Sequence, residues 1–392
     1  MTTQVFGASA CPRGATVGSL LAEKISGRTD LAGLGGTFQT FGAALLAVPI
    51  AALAQRAGRR PSLTIAYLLA VAGAVLIVLA AALSSFAVFL LGSALLGSAT
   101  AANSAARYAA TDLALPEHRG RDLSLVVWVT TVGSVLGPNL AGPAQLARAL
   151  HLDVLVGPFV VSAVALTVAT TVMWVFLRPD PLLLARALTD RPAPSHRGSL
   201  SRGMGAIRAH RQARLGVVVM ALGHIVMVAV MVMTPLHLRH GHATLTVIGL
   251  VISGHILGMF AFAPLMGLAA DRFGAAVVSL WGGLVLVLAT GLAGIASHGY
   301  SHLLALGLFL LGLGWSATFV AGSLLLVSGV AVDERPAAQG VADLVMGLAA
   351  AAGVPPRVVV ERLGYARLAH LCLIGAVLVV IAGWSALPGR RR

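Results

Sequence analysis

Several polar side chains stand inside or at the end of stretches that are otherwise apolar, among them Arg13, Gln39, Arg107, Asp112, His224, His255 and Asp343. Each is of a type that can hold an ion, pass a proton or pair with an opposite charge. An ionisable group at the centre of a bilayer costs roughly 2.5–3.5 kcal/mol on insertion scales, so each needs a reason. Arg13 offers a fixed cation for an anionic substrate group or a carboxylate; alternatively it ends a short helix and snorkels to the interface. Asp343 can take up a proton from a polar cavity, or it lies nearer a membrane surface and pairs with Arg335 or with an Arg of the basic segment 178–214. Histidine ordinarily titrates near neutrality, which suits His224 and His255 to proton transfer. The alternative for both is a neutral, hydrogen-bonded imidazole. Arg107 and Asp112 can form a gate with each other or with Gln55.

The elements that must position these groups are written for lipid. Of 392 residues, 58% are hydrophobic and only 10% are charged. A soluble domain carries about 25% charged residues. A chain of this length and composition cannot hide its apolar surface in its own interior. The net charge is +14, with 26 Arg and a single Lys, Lys24. These charges fall between apolar runs, so they read as topology determinants and headgroup contacts, with no nucleic-acid partner. Cys11 and Cys372 are far apart and inside apolar runs, which predicts free thiols and no metal site. No cleavable secretory signal is expected, since the first apolar stretch contains Arg13 and follows no basic leader or clear cleavage site.

Twelve runs are long enough to cross about 30 Å of hydrocarbon as helices. They cover residues 3–23, 32–54, 62–83, 86–111, 123–147, 154–177, 215–236, 244–269, 275–297, 302–328, 337–354 and 366–387. None shows the alternation of a membrane barrel strand. The first and eleventh runs are weak, because Arg13 interrupts one and Pro355-Pro356 follows the other. Eleven spans is therefore an open alternative.

Residues 178–214 carry eight Arg against two Asp, with Pro, Ser and Gly. This segment reads as a linker with short amphipathic pieces. It divides the chain into six-span bundles at 1–177 and 215–392. With the N-terminus inside, cytoplasmic segments hold 18 basic residues and external loops hold 7. That asymmetry places both termini in the cytoplasm.

The halves repeat. FQTFGAALLAVPIAALAQRAG (38–58) aligns with GHILGMFAFAPLMGLAADRFG (254–274) at an offset of 216 residues. The offset superposes Gln39 on His255, Gly42 on Gly258, Arg56 on Arg272, Gly58 on Gly274 and Arg119 on Arg335. Two bundles related by a pseudo-two-fold axis along the membrane normal follow.

Two motifs carry a family resemblance. Gly267-Leu268-Ala269-Ala270-Asp271-Arg272-Phe273-Gly274 resembles the G-x-x-x-D-R-x-G turn between the second and third spans of major facilitator proteins. The first half has Ala51-Ala52-Leu53-Ala54-Gln55-Arg56-Ala57-Gly58-Arg59-Arg60, with Ala for Gly and Gln for Asp. Small residues let helices approach closely. The Asp can cap a neighbouring helix or pair with Arg, whereas Gln55 cannot form an ion pair, so the first-half latch is expected to be weaker. In the fifth span, Gly133, Gly137, Pro138 and Gly142 resemble the G-x-x-x-G-P-x-x-G-G element of proton-coupled efflux antiporters, with Pro143 for the last Gly. A third element departs from the family: Ser93 stands where such exporters often carry Arg in the fourth span.

The resemblance implies an all-α membrane protein of the major facilitator fold, with 12 helices in two bundles. It implies a secondary transporter working by alternating access, here read as proton-coupled efflux of a small, largely apolar compound. Arg13, Gln39, His224, His255 and Asp343 are the expected substrate and proton pathway. Gln55, Arg56, Gly58, Arg59, Arg107, Asp112, Gly267, Asp271, Arg272 and Gly274 are the expected cytoplasmic gate. The rivals are a metabolite or sugar importer of the same fold, and a receptor or scaffold that kept the fold. With no P-loop, G-x-S-x-G or metal-spaced cluster, no enzyme, cofactor or metal is expected. The expected partners are a small-molecule substrate, protons and membrane lipids. The protein is expected to act as a monomer in a bacterial cytoplasmic membrane.

Overall fold

A computed structural model describes residues 12–139, 153–188, 199–296, 300–353 and 357–387. The described residues form helices, turns and short 3-10 segments, with no strand among them. In chain order the helices are α1 (Pro12–Ser26), α2 (Leu34–Ala57), α3 (Arg59–Leu83), α4 (Phe86–Leu96), α5 (Ser98–Ala109) and α6 (Arg119–Asn139). Then come α7 (Gly157–Phe176), α8 (Pro181–Leu188), α9 (Ser199–Ala209), α10 (Arg211–His240), α11 (Leu245–Phe260) and α12 (Ala263–Phe273). The last four are α13 (Ala275–Ile295), α14 (His302–Gly329), α15 (Arg335–Gly353) and α16 (Arg357–Ala386).

Local chemistry sets several boundaries. Ser85, Thr244 and Ser301 cap α4, α11 and α14 by accepting the amides of Val88, Val247 and Leu304. Each satisfies an amide that the first helical turn leaves unpaired. The eighth apolar run breaks into α11 and α12 just before Pro264, whose missing N–H cannot continue the ladder. The twelfth run extends beyond its apolar part, since α16 starts at Arg357. The weak eleventh run is helical from 337 to 353 within α15, and residue 354 lies outside the described residues. The linker carries two short helices, α8 and α9.

Among the described residues, nine helical segments are long and apolar enough to cross a membrane. Their outer faces carry large apolar side chains such as Leu68, Leu79, Leu284 and Ile381. Trp128, Trp174, Trp281 and Trp384 are exposed as well, while Trp315 is buried. An apolar exterior of this extent is covered by lipid in an integral membrane protein.

The chain divides into two compact units. The first comprises residues 1–113, 129–205 and 332–347, and the second comprises 114–128, 206–331 and 348–392. Each unit thus borrows from the other half of the sequence. The start of α15 packs in the first unit, and the start of α6 packs in the second. In the first unit, α3 packs on α4 and α7, and α2 on α4 and α5. In the second, α13 packs on α14 and α16, and α10 and α11 pack on α14.

The repeat is visible in the packing of each unit. A Cβ on Gly42 would lie 2.0 Å from the carbonyl oxygen of Ala94, and one on Gly97 would lie 2.2 Å from that of Gln39. In the second unit a Cβ on Gly258 would lie 2.4 Å from Phe309 O, and one on Gly312 would lie 2.3 Å from His255 O. Gln39 and His255 therefore occupy equivalent places, as the 216-residue offset requires.

Candidate functional site

The two turn motifs build two junctions of related shape and different chemistry. Both turns pivot on a glycine in the left-handed region: Gly58 at φ 96° and Gly274 at φ 91°. A side chain there would be strained, which explains why both motifs keep glycine. At Gly58 the Asp180 carboxylate also fills the place of a Cβ, with Oδ2 2.5 Å from it.

In the second unit, Asp271 ends α12 and caps α6. Its Oδ1 accepts the amide of Gly120 at 2.7 Å, and its Oδ2 accepts that of Arg121 at 2.8 Å. Those amides are orphans of the first helical turn, where the helix dipole also favours negative charge. The close approach needs Gly267. A Cβ there would meet Ser124 Oγ at 2.1 Å and Gly120 O at 2.3 Å. Arg272 is exposed and lies over the ring of Phe273.

In the first unit the pattern is inverted. Ala51 takes the place of Gly267, and Gly340 takes that of Ser124. A Cβ on Gly340 would lie 2.5 Å from the Ala51 methyl. The missing glycine of the first motif has moved to the opposing helix. Gln55 replaces Asp271. Its Nε2 donates to Asp333 O at 3.4 Å, and its Oε1 accepts from Arg202 Nη2. Arg56 is exposed.

Beside this junction lies a buried ionic network. Arg59 is 1% exposed. Its Nε donates to Asp112 Oδ2 at 2.8 Å, and its Nη2 donates to Gln339 Oε1 at 2.6 Å and Asp112 Oδ1 at 3.3 Å. Arg107 Nη2 donates to Asp343 Oδ1 at 2.8 Å and to the Tyr108 hydroxyl at 3.0 Å. The guanidinium also lies 4.4 Å from the centre of the Tyr108 ring. Gln339 and Asp343 sit one turn apart on α15 and so present the same face. Through them, α15 from the second half of the chain meets α3 and α5 from the first.

This pairing differs from the sequence expectation. Arg107 and Asp112 bond neither each other nor Gln55; each takes a partner from another element. Asp343 pairs with Arg107 rather than with Arg335 or a linker Arg. Arg59, expected as a gate residue and also counted among the charges of the turn, is one of the most buried side chains. Gln339 was not singled out, although its i,i+4 spacing to Asp343 was legible.

The expected pathway residues are spread over the two units. His224, on α10, accepts at Nδ1 from the indole Nε1 of Trp315, at 2.9 Å. Phe260 and Phe319 pack on that indole at 5.7 and 4.6 Å between ring centres. His255 is buried, with Nδ1 2.8 Å from Leu308 O. Gln39 is half-buried on α2. Arg13 lies in the first turn of α1. Gly133, Gly137 and Pro138 lie in α6, and Gly142 falls outside the described residues. Ser93 is buried, and its hydroxyl donates to Phe89 O at 2.8 Å, bonding its own helix.

The comparisons with known proteins agree with this architecture. The family profile of the Major Facilitator Superfamily matches residues 14–243 and 217–391. The MFS-type transporter YddS of Bacillus subtilis is 35% identical over 354 residues, covering 90% of this chain and 81% of its own. The MFS-type transporter YdeG of the same organism is 34% identical over 391 residues, covering 98% and 90%. Among solved structures, the transporter FucP in its outward conformation superposes with a TM-score of 0.76 at 16% identity, over 99% of this chain and 98% of that one. That likeness concerns the fold. Members of this family are transporters and not enzymes, and the fold supports secondary transport of small molecules by alternating access. The profile matches across both halves, the two Bacillus relatives and the fold together show that the chain belongs to the Major Facilitator Superfamily.

Proposed function

We propose that this transporter exports a small, largely apolar compound in exchange for protons, from a bacterial cytoplasmic membrane with both termini inside. The observation that carries the reading is the Arg107–Asp343 pair. It joins α5 to α15, and one proton on Asp343 removes its attraction.

In this reading the paired state is closed toward the cytoplasm. A proton arriving from outside neutralises Asp343 and releases Arg107. The start of α15 then separates from α3 and α5, and the inner side opens. The proton leaves inward as substrate binds. The ionised Asp343 draws Arg107 back, which closes the inner side and leaves the substrate facing out. Arg59, Asp112 and Gln339 break and re-form with the same movement, and Asp271 does so at the second junction. Arg13, Gln39, His224 and His255 complete the substrate and proton pathway. Gly133, Gly137, Pro138 and Gly142 support the export direction through their resemblance to the antiporter element. Ser93 stands in place of the exporters' Arg, so proton coupling in this reading does not use that Arg.

The test is transport by the purified protein in liposomes carrying a pH gradient, with ethidium as a lipophilic probe. Export coupled to protons predicts ethidium movement against the direction of proton flow, abolished by collapsing the gradient. Movement with the proton flow would favour the importer. Ethidium movement insensitive to the gradient would contradict proton coupling.

A further inference from the structure

Gln55 closes α2 at a point where three other segments meet it. Its main-chain oxygen accepts from Arg186 Nη1 at 2.9 Å. Its side-chain oxygen accepts from Arg202, and its amide nitrogen donates to Asp333 O. Arg186 lies on α8 and Arg202 on α9, the two helices of the linker. Gly203 presses the same linker helix onto α15, since a Cβ there would lie 2.3 Å from Ala337 O. Arg186 is buried, although it belongs to the segment expected to be a charged tether.

We propose that the linker is a working part of the inner gate, in which Arg186 and Arg202 clamp the end of α2 to the start of α15 through Gln55. This rests on the inner-gate reading above and adds a component to it. The physical reasons are specific. The last carbonyls of a helix lack amide partners and carry partial negative charge, so a guanidinium is their natural cap. Hydrogen bonds from a charged donor are roughly twice as strong as neutral ones.

The repeat explains why Gln55 is required here. By the 216-residue offset, Gly120 corresponds to Pro336, and Pro336 has no N–H. A carboxylate at position 55 would lose one of the two amides that Asp271 accepts. It would also face the Asp333 carbonyl with no hydrogen to offer. Glutamine accepts from Arg202 on one side and donates to Asp333 on the other. Gln55 is thus matched to the linker, and is not a weakened copy of Asp271.

The test uses the full-length protein in membranes, with Cys11 and Cys372 replaced by Ala and Met346→Cys as reporter. Met346 is 9% exposed on α15, so its alkylation by a small maleimide reports opening of the inner side. Arg202→Ala and Gln55→Ala should each raise the alkylation rate by about tenfold to a hundredfold, the scale of a charge-assisted hydrogen bond. The double variant should match Gln55→Ala, because both single variants remove the Gln55–Arg202 contact and Gln55→Ala also removes the donation to Asp333. Arg202→Lys, which keeps the charge and a donor, should restore much of the closure. Asp343→Asn is the control for the gate itself. If it raises the rate and Arg202→Ala does not, the linker clamp is wrong and the gate stands. If neither does, both readings are wrong. Additive effects of Arg202→Ala and Gln55→Ala would also overturn the clamp. Thermal unfolding of each variant separates gate opening from misfolding, since a misfolded variant would not recover with Lys.

Discussion

Arg107 and Asp343 stand 236 positions apart in sequence and meet at 2.8 Å, with their side chains 4% and 9% exposed. A pair so shut from water is worth little in net stability against an apolar substitute, but removing one partner leaves a costly bare charge. Arg107→Ala should therefore destabilise the paired state by roughly 3–5 kcal/mol. Asp343→Asn keeps the shape and an acceptor oxygen and should cost less. Denaturant or thermal unfolding in detergent measures both. Equal, near-zero losses would mean that the pair does not hold α5 to α15.

The cap on α6 gives a second expectation. Asp271→Ala leaves the amides of Gly120 and Arg121 without their acceptor. The loss should be about 1–2 kcal/mol, as for other helix caps. Asp271→Asn should recover only part, because one of its two polar atoms is a donor facing a donor. Hydrogen exchange at Gly120 and Arg121 reads the cap directly: both amides should exchange faster in Asp271→Ala, and at least one of them in Asp271→Asn. Unchanged protection would show that Asp271 is not their partner.

The exchange of small residues between the junctions gives a third. Gly267→Ala should destabilise by roughly 1–3 kcal/mol through overpacking against Ser124 and Gly120. Adding Ser124→Gly should recover part of the loss, because it recreates the Ala51–Gly340 arrangement of the first unit. The Gly120 carbonyl remains in place, so recovery should be incomplete. Additive losses in the double variant, read by melting temperature, would contradict the swap.

The repeat was the most legible feature of the sequence, and it extends to contacts. Gly42 with Gly97 and Gly258 with Gly312 mark the same helix approaches, because only a missing Cβ lets two backbones come that near. The role of Asp271 as a helix cap was legible too, since its position at the end of a span leaves it beside a helix start. The partners of Arg59, Arg107 and Asp112 were not. A span-by-span reading places charges along one helix, whereas pairing is decided by which helices meet. Gln55 read as a lost carboxylate because its partners, Arg186 and Arg202, lie in a segment whose composition signals only a linker. Pro336 was the available clue, since its missing N–H shows that the first junction cannot copy the second.

A pH effect is expected outside the membrane-spanning segments. Lys24 at the end of α1 pairs with Asp153, which also accepts the amide of Leu155 at 3.0 Å. The Lys24 ammonium, with that amide, holds the Asp153 carboxyl below its ordinary value. A lowered carboxylate contributes stability above its unfolded value of about 3.9 and loses it as pH falls through the folded value. The pair is solvent-exposed, so its worth is under about 1 kcal/mol. Asp153→Asn should lower the melting temperature slightly at pH 7, and the difference should vanish well below pH 3.9. A difference that persists in acid would point to the Leu155 contact instead.

The proton on Asp343 is the centre of the account, and alkylation of Met346→Cys across a pH series tests it most directly. With Asp343 intact, the rate should rise as the pH falls, because protonation releases Arg107 and opens the inner side. With Asp343→Asn the rate should be high at every pH, once corrected for the reagent's own dependence on thiolate. A corrected rate that follows the same pH course with Asn as with Asp would contradict the account.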